Sequence, residues 1–129
     1  MIVGIGLDVV ELARMDRLLS GPGRNRFVNR VLTVKESEAW AKLQPRRALE
    51  YISGRFAVKE AVVKALGCGI GAIVGFKDME VLPDECGKPV CMLSEASMKR
   101  LGWEDRSLKL HIAITHERSL AAATALIEQ

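Results

Sequence analysis

FAVKEAVVKALG, residues 56 to 67, is the stretch on which the reading of this chain turns. Its apolar residues occupy most of a helical circle, the mark of a buried helix, yet it keeps Lys59, Glu60 and Lys64. At about 100° per residue, Glu60 and Lys64 are neighbours in a narrow polar notch. Lys59 has no such gap and is expected to run its stem across apolar surface to reach solvent. Glu60 and Lys64 then read in one of two ways. They form an ordinary i,i+4 ion pair worth about 0.3 to 0.5 kcal/mol, or they meet a metal ion with a phosphate beside it, because a carboxylate on so apolar a helix is costly without a cation.

Working outward, the apolar spacing extends this helix from Arg46 to Leu66, with Pro45 closing the loop before it and Gly67 stopping it. Gly54 in its interior costs about 1 kcal/mol relative to alanine. It falls in line with Ala57, Ala61 and Ala65 at steps of three and four, a stripe of small residues where another backbone can approach closely. Towards the N-terminus, TVKE (33 to 36) has the capping-box pattern and predicts a helix to about Leu43. A short helix is expected over Arg26 to Leu32. Another follows the spacing of Leu12, Met15, Leu18 and Leu19 until SGPGR (20 to 24) stops it.

Ahead of these helices, IVGIGLDVV (2 to 10) is apolar on both faces and predicts a central strand, with GIG (4 to 6) as a close-packed segment. Asp8 is the anomaly. It reads either as a cap for the helix that starts near Val10 or as a hard oxygen ligand. With Glu60 it would make a Mg²⁺ site in which the protein supplies few ligands and substrate phosphates and water supply the rest.

The second half is more strand-like. FKDMEVL (76 to 82) and PVCML (89 to 93) predict a hairpin around PDECGKP (83 to 89), and Ser94 to Leu101 a short capped helix. LKLHIAIT (108 to 115) alternates as a strand, whereas LAAATALI (120 to 127) is ambiguous because its alanines favour helix. GCGIG (67 to 71) fits a helix C-cap and turn as well as a phosphate-approaching loop. His111 and His116 lie five apart, so on one strand they point to opposite faces. The sum is an α+β chain forming a single domain over residues 1–129: an N-terminal strand, helices in the first half including one long helix, and antiparallel strands in the second.

Composition excludes several classes. With 129 residues, 49% hydrophobic and 27% charged, the chain can bury a real core and is not disordered. Cys68, Cys86 and Cys91 show no CxxC or Cys/His ligand spacing, which excludes a disulfide framework and a zinc site and suits a reducing cytoplasm. MIVGIGLD lacks the basic start of a signal peptide, and no run approaches the roughly 20 apolar residues of a membrane span. The net charge of +3 is concentrated in residues 11 to 30, where Arg14, Arg17, Arg24, Arg26 and Arg30 stand against Glu11 and Asp16. That segment is a solvated face or a docking surface for an acidic partner. A small basic nucleic-acid-binding module is the rival reading. It is disfavoured by the poverty of aromatics, three Phe, two Trp and one Tyr, and by the lack of an RNA-binding aromatic motif.

GIGLDVVEL (4 to 12), FAVKEAVVKALGCGIG (56 to 71), GKP (87 to 89) and ITH (114 to 116), in that order and over the whole chain, resemble the small bacterial 4'-phosphopantetheinyl transferases of the holo-[acyl-carrier-protein] synthase type. The resemblance implies that fold, and transfer of 4'-phosphopantetheine from coenzyme A to a serine hydroxyl of apo acyl carrier protein in fatty acid biosynthesis, releasing adenosine 3',5'-bisphosphate. It implies Asp8 and Glu60 as Mg²⁺ ligands and, with Lys64, as catalytic groups. Lys64, Gly67, Gly87, Lys88, Pro89 and His116 would meet coenzyme A, and Arg14, Arg17, Arg24 and Phe27 would dock the carrier protein. It further implies a cytoplasmic homotrimer with active sites between subunits, a strand for the Ala-rich last segment, and no nucleic-acid or membrane partner. The serine needs a proton acceptor, for which Glu36 acting through water is the candidate beside its capping-box role. The chain departs from the family pattern at Cys68, Ala113 and Leu120, none of which removes a charge, and Cys68 reads as a packed thiol. A catalytically silent docking subunit of the same fold would not need Asp8, Glu60 and Lys64.

Overall fold

A β-strand and a long helix lie closer together than side chains ordinarily allow, and the rest of the molecule is arranged around that contact. The computed structural model describes all of residues 1–129. Strand β1 (Ile2–Glu11) runs against helix α4 (Pro45–Leu66). A Cβ built on Gly4 would sit 1.9 Å from the carbonyl oxygen of Ala65, and one on Gly6 would sit 1.9 Å from that of Ala61. Only glycine fits at either position. The small-residue stripe predicted on α4 therefore meets strand backbone at Ala61 and Ala65. At Gly54 the neighbour is instead a side chain, Ile114, whose Cγ2 would lie 3.1 Å from an added Cβ.

The remaining elements are α1 (Leu12–Ser20), α2 (Arg24–Val31), α3 (Val34–Ala41), β2 (Met79–Pro83), β3 (Pro89–Leu93), α5 (Glu95–Leu101), β4 (Lys109–His116) and β5 (Leu120–Glu128). This is the α+β architecture expected. The antiparallel strands form a three-stranded sheet of order β1-β5-β4 and a separate β2-β3 hairpin. Gly67, with φ of 81°, and Gly102, with φ of 73°, close α4 and α5 in the left-handed conformation.

Two local expectations change, and one ambiguity resolves to the strand that the resemblance implied. Phe76–Asp78 is a 3₁₀ turn, so β2 begins only at Met79. The Ala-rich segment, ambiguous on propensity, is β5, the central strand. Its inward residues Ala121, Ala123, Ala125 and Ile127 are buried under α4, and the three alanines there let the helix come close, so packing overrides alanine's helical preference. β1, expected at the centre, is an edge strand. Its inner face is covered, but its outer face leaves Ile5, Leu7 and Val9 71%, 58% and 55% exposed. Across the register Leu7 pairs with Thr124 and Thr124 with Ala113, which continues the same outward face.

Lys59 does not reach solvent. It is fully buried, and its ammonium donates to Val31 O and to Glu36 Oε1, both at 2.6 Å. Glu36, also fully buried, accepts from Thr33 N at 2.8 Å and Val81 N at 2.7 Å. Its other partner, Thr33 Oγ1, receives the Glu36 backbone N–H and completes the capping box. Replacing Gly6 with alanine forces β1 off the α4 backbone, and urea unfolding is expected to register a loss of about 3 kcal/mol. The same change at Gly71, where no atom lies within 4 Å of the added Cβ, should stay within about 0.5 kcal/mol.

Candidate active site

Two residues beyond Gly6, Asp8 points from the inner face of β1, in the row shared with Ala123 and Ile114. It does not cap α1: the N-cap there is Glu11, with no side-chain bond. Lys64 reaches across from α4 and donates to Asp8 Oδ1 at 3.1 Å and to Leu7 O at 3.0 Å. The i,i+4 pair between Glu60 and Lys64 is thereby replaced by an inter-element one, since β1 lies close enough to offer Lys64 two acceptors. Glu60 is left half-buried near Asp8. Burial first, and then the negative charge of Asp8, push its carboxyl above the usual range, against the pull of Lys64 and Arg30.

Two neighbouring carboxylates, one of them held above its ordinary pKa partly by the other and one paired with Lys64, are a donor set that could hold a metal cation. Their hard oxygens suit Mg²⁺. No third His, Cys, Asp or Glu completes a metal-binding group with them, so the remaining positions would fall to substrate oxygens and water. Glu60 also opens onto a cleft of about 290 Å³ lined by Arg14, Leu18, Phe27, Arg30 and Ile70, among others. Two of the arginines of the basic segment thus line the same cleft as the carboxylate.

The other docking candidates are placed differently. Arg24 stacks over Trp40, 4.9 Å from the ring centroid, and donates to Leu19 O at 3.2 Å. Phe27 is half-buried against Phe56, with centroids 6.0 Å apart. Arg17 is exposed in the last turn of α1. Glu36 cannot serve as the base: its carboxylate is fully buried, paired with Lys59 and occupied by two backbone N–H groups. Burial raises the Cys68 thiol, which fits a packed residue.

A second group of expected residues gathers further along α4. Gly87, Pro89 and His116 line a cleft of about 400 Å³ with Arg47, Glu50 and Arg55. His116 Nδ1 lies 3.3 Å from Glu50 Oε2 on the inner side of the sheet, while His111 faces outward to Glu128 at 3.0 Å. The two histidines are on opposite faces, as their spacing requires. Lys88 is exposed in the turn, where its backbone N–H donates to Asp84 Oδ1. Gly67 is exposed at the end of α4. Arg47 and Arg55 escaped the sequence reading. Arg55 lies over Tyr51, 3.9 Å from the ring centroid, and its Nε is buried without a hydrogen-bond partner. Their signal was the helical spacing 47, 51, 54, 55, which puts two arginines, a tyrosine and a glycine on one face.

About fifteen ångströms of helix, at 1.5 Å per residue, separate Glu50 from Glu60. Within one chain the carboxylate cluster and the histidine cleft are therefore distinct.

Comparison with known proteins adds to this geometry. The family model of the 4'-phosphopantetheinyl transferase superfamily matches residues 4–125. A holo-[acyl-carrier-protein] synthase of Halalkalibacterium halodurans is 43% identical over 129 residues, covering 100% of this chain and 98% of that protein. The crystal structure of a holo-(acyl-carrier-protein) synthase from Bacillus anthracis in complex with CoA (3',5'-ADP) superposes with a TM-score of 0.83 at 37% identity, covering 98% of this chain and 96% of that one. The Neisseria meningitidis holo-[acyl-carrier-protein] synthase gives 0.88 at 32% identity, with both chains covered completely.

The raised carboxyl of Glu60 has a consequence for stability in the absence of metal. Below the unfolded-state pKa the group is neutral in both states and contributes no penalty. As pH rises through its folded value, the buried charge destabilises the fold. Glu60→Gln should accordingly be more stable than the parent at pH 8, with the difference vanishing towards pH 4, as read by urea unfolding across that range.

Proposed function

The chain belongs to the 4'-phosphopantetheinyl transferase superfamily, and from that membership we infer its reaction. It transfers 4'-phosphopantetheine from coenzyme A to a serine hydroxyl of apo acyl carrier protein, the holo-[acyl-carrier-protein] synthase activity. The observation that carries the reading to particular side chains is the convergence of Asp8, Glu60 and Lys64 from β1 and α4. The serine oxygen bonds to the phosphorus that bears pantetheine, the bond from that phosphorus to adenosine 3',5'-bisphosphate breaks, and the serine proton passes to solvent water. Such a transfer asks the protein chiefly for alignment and for cations near the developing charge.

Asp8 and Glu60 would hold Mg²⁺, whose chemistry is to neutralise diphosphate charge and orient its oxygens. Lys64 has half of its side chain exposed, so its ammonium can exchange Asp8 for a phosphate oxygen. Arg55, with its unpartnered Nε, and His116 beside Glu50 offer donors to an anionic substrate at the other cleft. Gly87 and Pro89 line that cleft, and Lys88 stands between them where the turn leads into β3. Arg14 at the carboxylate cleft and Arg17 on the exposed side of α1 are read as contacts for the acidic carrier protein, and Phe27 as an apolar one. Arg24 shares that surface while stacked on Trp40.

The assembly is read as a homotrimer. The exposed face of Ile5, Leu7 and Val9 is an apolar patch that other copies would cover. An active site shared between subunits would join the carboxylate cluster of one chain to the histidine cleft of the next. The setting is read as cytoplasmic fatty acid biosynthesis; no helix is long and apolar enough to cross a membrane.

Mass spectrometry of apo acyl carrier protein after incubation with coenzyme A and Mg²⁺ should show a phosphopantetheine adduct. Glu60→Gln should lower its formation roughly 100-fold or more while circular dichroism stays that of the parent. An adduct formed at the parental rate by the variant would remove Glu60 from the site. Arg14→Glu is expected to weaken carrier binding about tenfold and flatten its salt dependence, with coenzyme A affinity held within about twofold. Titration of each ligand by calorimetry checks both.

A further inference from the structure

We propose that Lys59 is a positioning residue for the transfer, its buried ammonium fixing relative to one another the two backbone segments from which Glu60 and Arg30 line the carboxylate cleft. The inference rests on the reading of Glu60 given above. Lys59 precedes Glu60 in α4, and Val31 follows Arg30 at the end of α2. A single bond of 2.6 Å, from Lys59 Nζ to Val31 O, therefore joins the two peptide segments that carry the cleft's carboxylate and one of its arginines. The acceptor belongs to the last turn of α2, whose carbonyls lack partners within the helix and attract a cation.

Glu36 makes this contact rigid. It accepts from Lys59 with one oxygen and from Val81 N with the other, and Thr33 N shares the first. Four elements, α2, α3, α4 and β2, are pinned at one point. Stability alone does not account for the pair, because an apolar pair of similar volume commonly does as well or better in a dry interior. The surroundings are dry: Val58, Val62 and Val63 are fully buried, and burial pushes the nearby Cys91 thiol up to about 12. An apolar pair cannot form a directed bond to Val31 O. That bond sets the rotation of α4 about its axis, and Glu60 projects from the next position, about 100° around.

The test compares the parent with Glu36→Gln, which leaves Lys59 able to reach Val31 O, and with Lys59→Met/Glu36→Gln, which does not. Three quantities are measured: the urea midpoint, Mn²⁺ affinity without substrates by electron paramagnetic resonance, and kcat and KM for coenzyme A in the carrier-protein assay. The double variant is expected to unfold at a urea concentration no lower than Glu36→Gln. Its Mn²⁺ affinity and its kcat should each fall about tenfold, with KM for coenzyme A within about twofold. Glu36→Gln should keep both values within about threefold of the parent. A double variant that is folded and matches Glu36→Gln in Mn²⁺ affinity and kcat overturns the proposal. Should that variant not fold, Lys59→Leu/Glu36→Met, the apolar pair, is compared with the parent under the same two outcomes. A parent that binds no Mn²⁺ would overturn the assignment of Glu60 and this inference with it, a failure distinct from equal binding by parent and variant.

Discussion

The absence of side chains at Gly4 and Gly6 lets β1 lie on the backbone of α4 at Ala65 and Ala61, and the meeting of Asp8 with Lys64 and Glu60 depends on that approach. With strand and helix this close, Asp8 arrives within reach of Lys64 and near Glu60. A wider spacing, of the kind bulky residues impose, would leave each carboxylate to find its own solvent. The same economy of volume explains the central strand. Ala121, Ala123 and Ala125 present methyl groups to α4, so the helix sits low on the sheet along the whole contact.

The three charges of FAVKEAVVKALG serve three different ends. Lys59 is buried completely and is tolerated because Glu36 and Val31 O satisfy it. Burial draws its pKa below the usual ammonium range and Glu36 draws it back. Lys64 leaves its helix to pair with the strand. Glu60 stands half-buried beside a like-charged neighbour, and burial and Asp8 together push its carboxyl above the usual range, an arrangement more usual at functional sites than on structural surfaces. Charges close in sequence have thus been separated by their partners into an internal pin, a cation paired with the strand and a half-buried carboxylate.

One chain presents two incomplete clefts and one uncovered apolar face. The carboxylate cleft is lined by Glu60 with Arg14 and Arg30, and the histidine cleft has donors, among them an arginine nitrogen without a partner. Neither resembles an enclosed pocket that would hold a whole nucleotide-bearing substrate. The exposed Ile5, Leu7 and Val9 lie on the sheet face opposite α4, so assembly through that face would leave the α4 side of each chain open to ligands. The fold and the two faces of the sheet are in this sense one problem, set by which face of each strand is small.

The periodic and punctuating features were legible from the amino acids. α4 and its Gly67 stop, the Thr33/Glu36 capping box, the β2-β3 hairpin and the opposed histidines follow from spacing and local chemistry, which act within a few residues. The suspicion attached to Asp8, Glu60 and Lys64 was also legible, because charges in apolar runs demand partners. Which partners they find was decided by tertiary structure. Glu36 could be read as a base until Lys59 and Val81 N were seen to occupy it. β1 could be read as central until β5, poor in strand propensity, took that place. Arg55 carried no motif at all. Propensity and periodicity describe a residue's own neighbourhood in the chain, whereas burial and pairing depend on surfaces that meet only when residues distant in sequence are brought together.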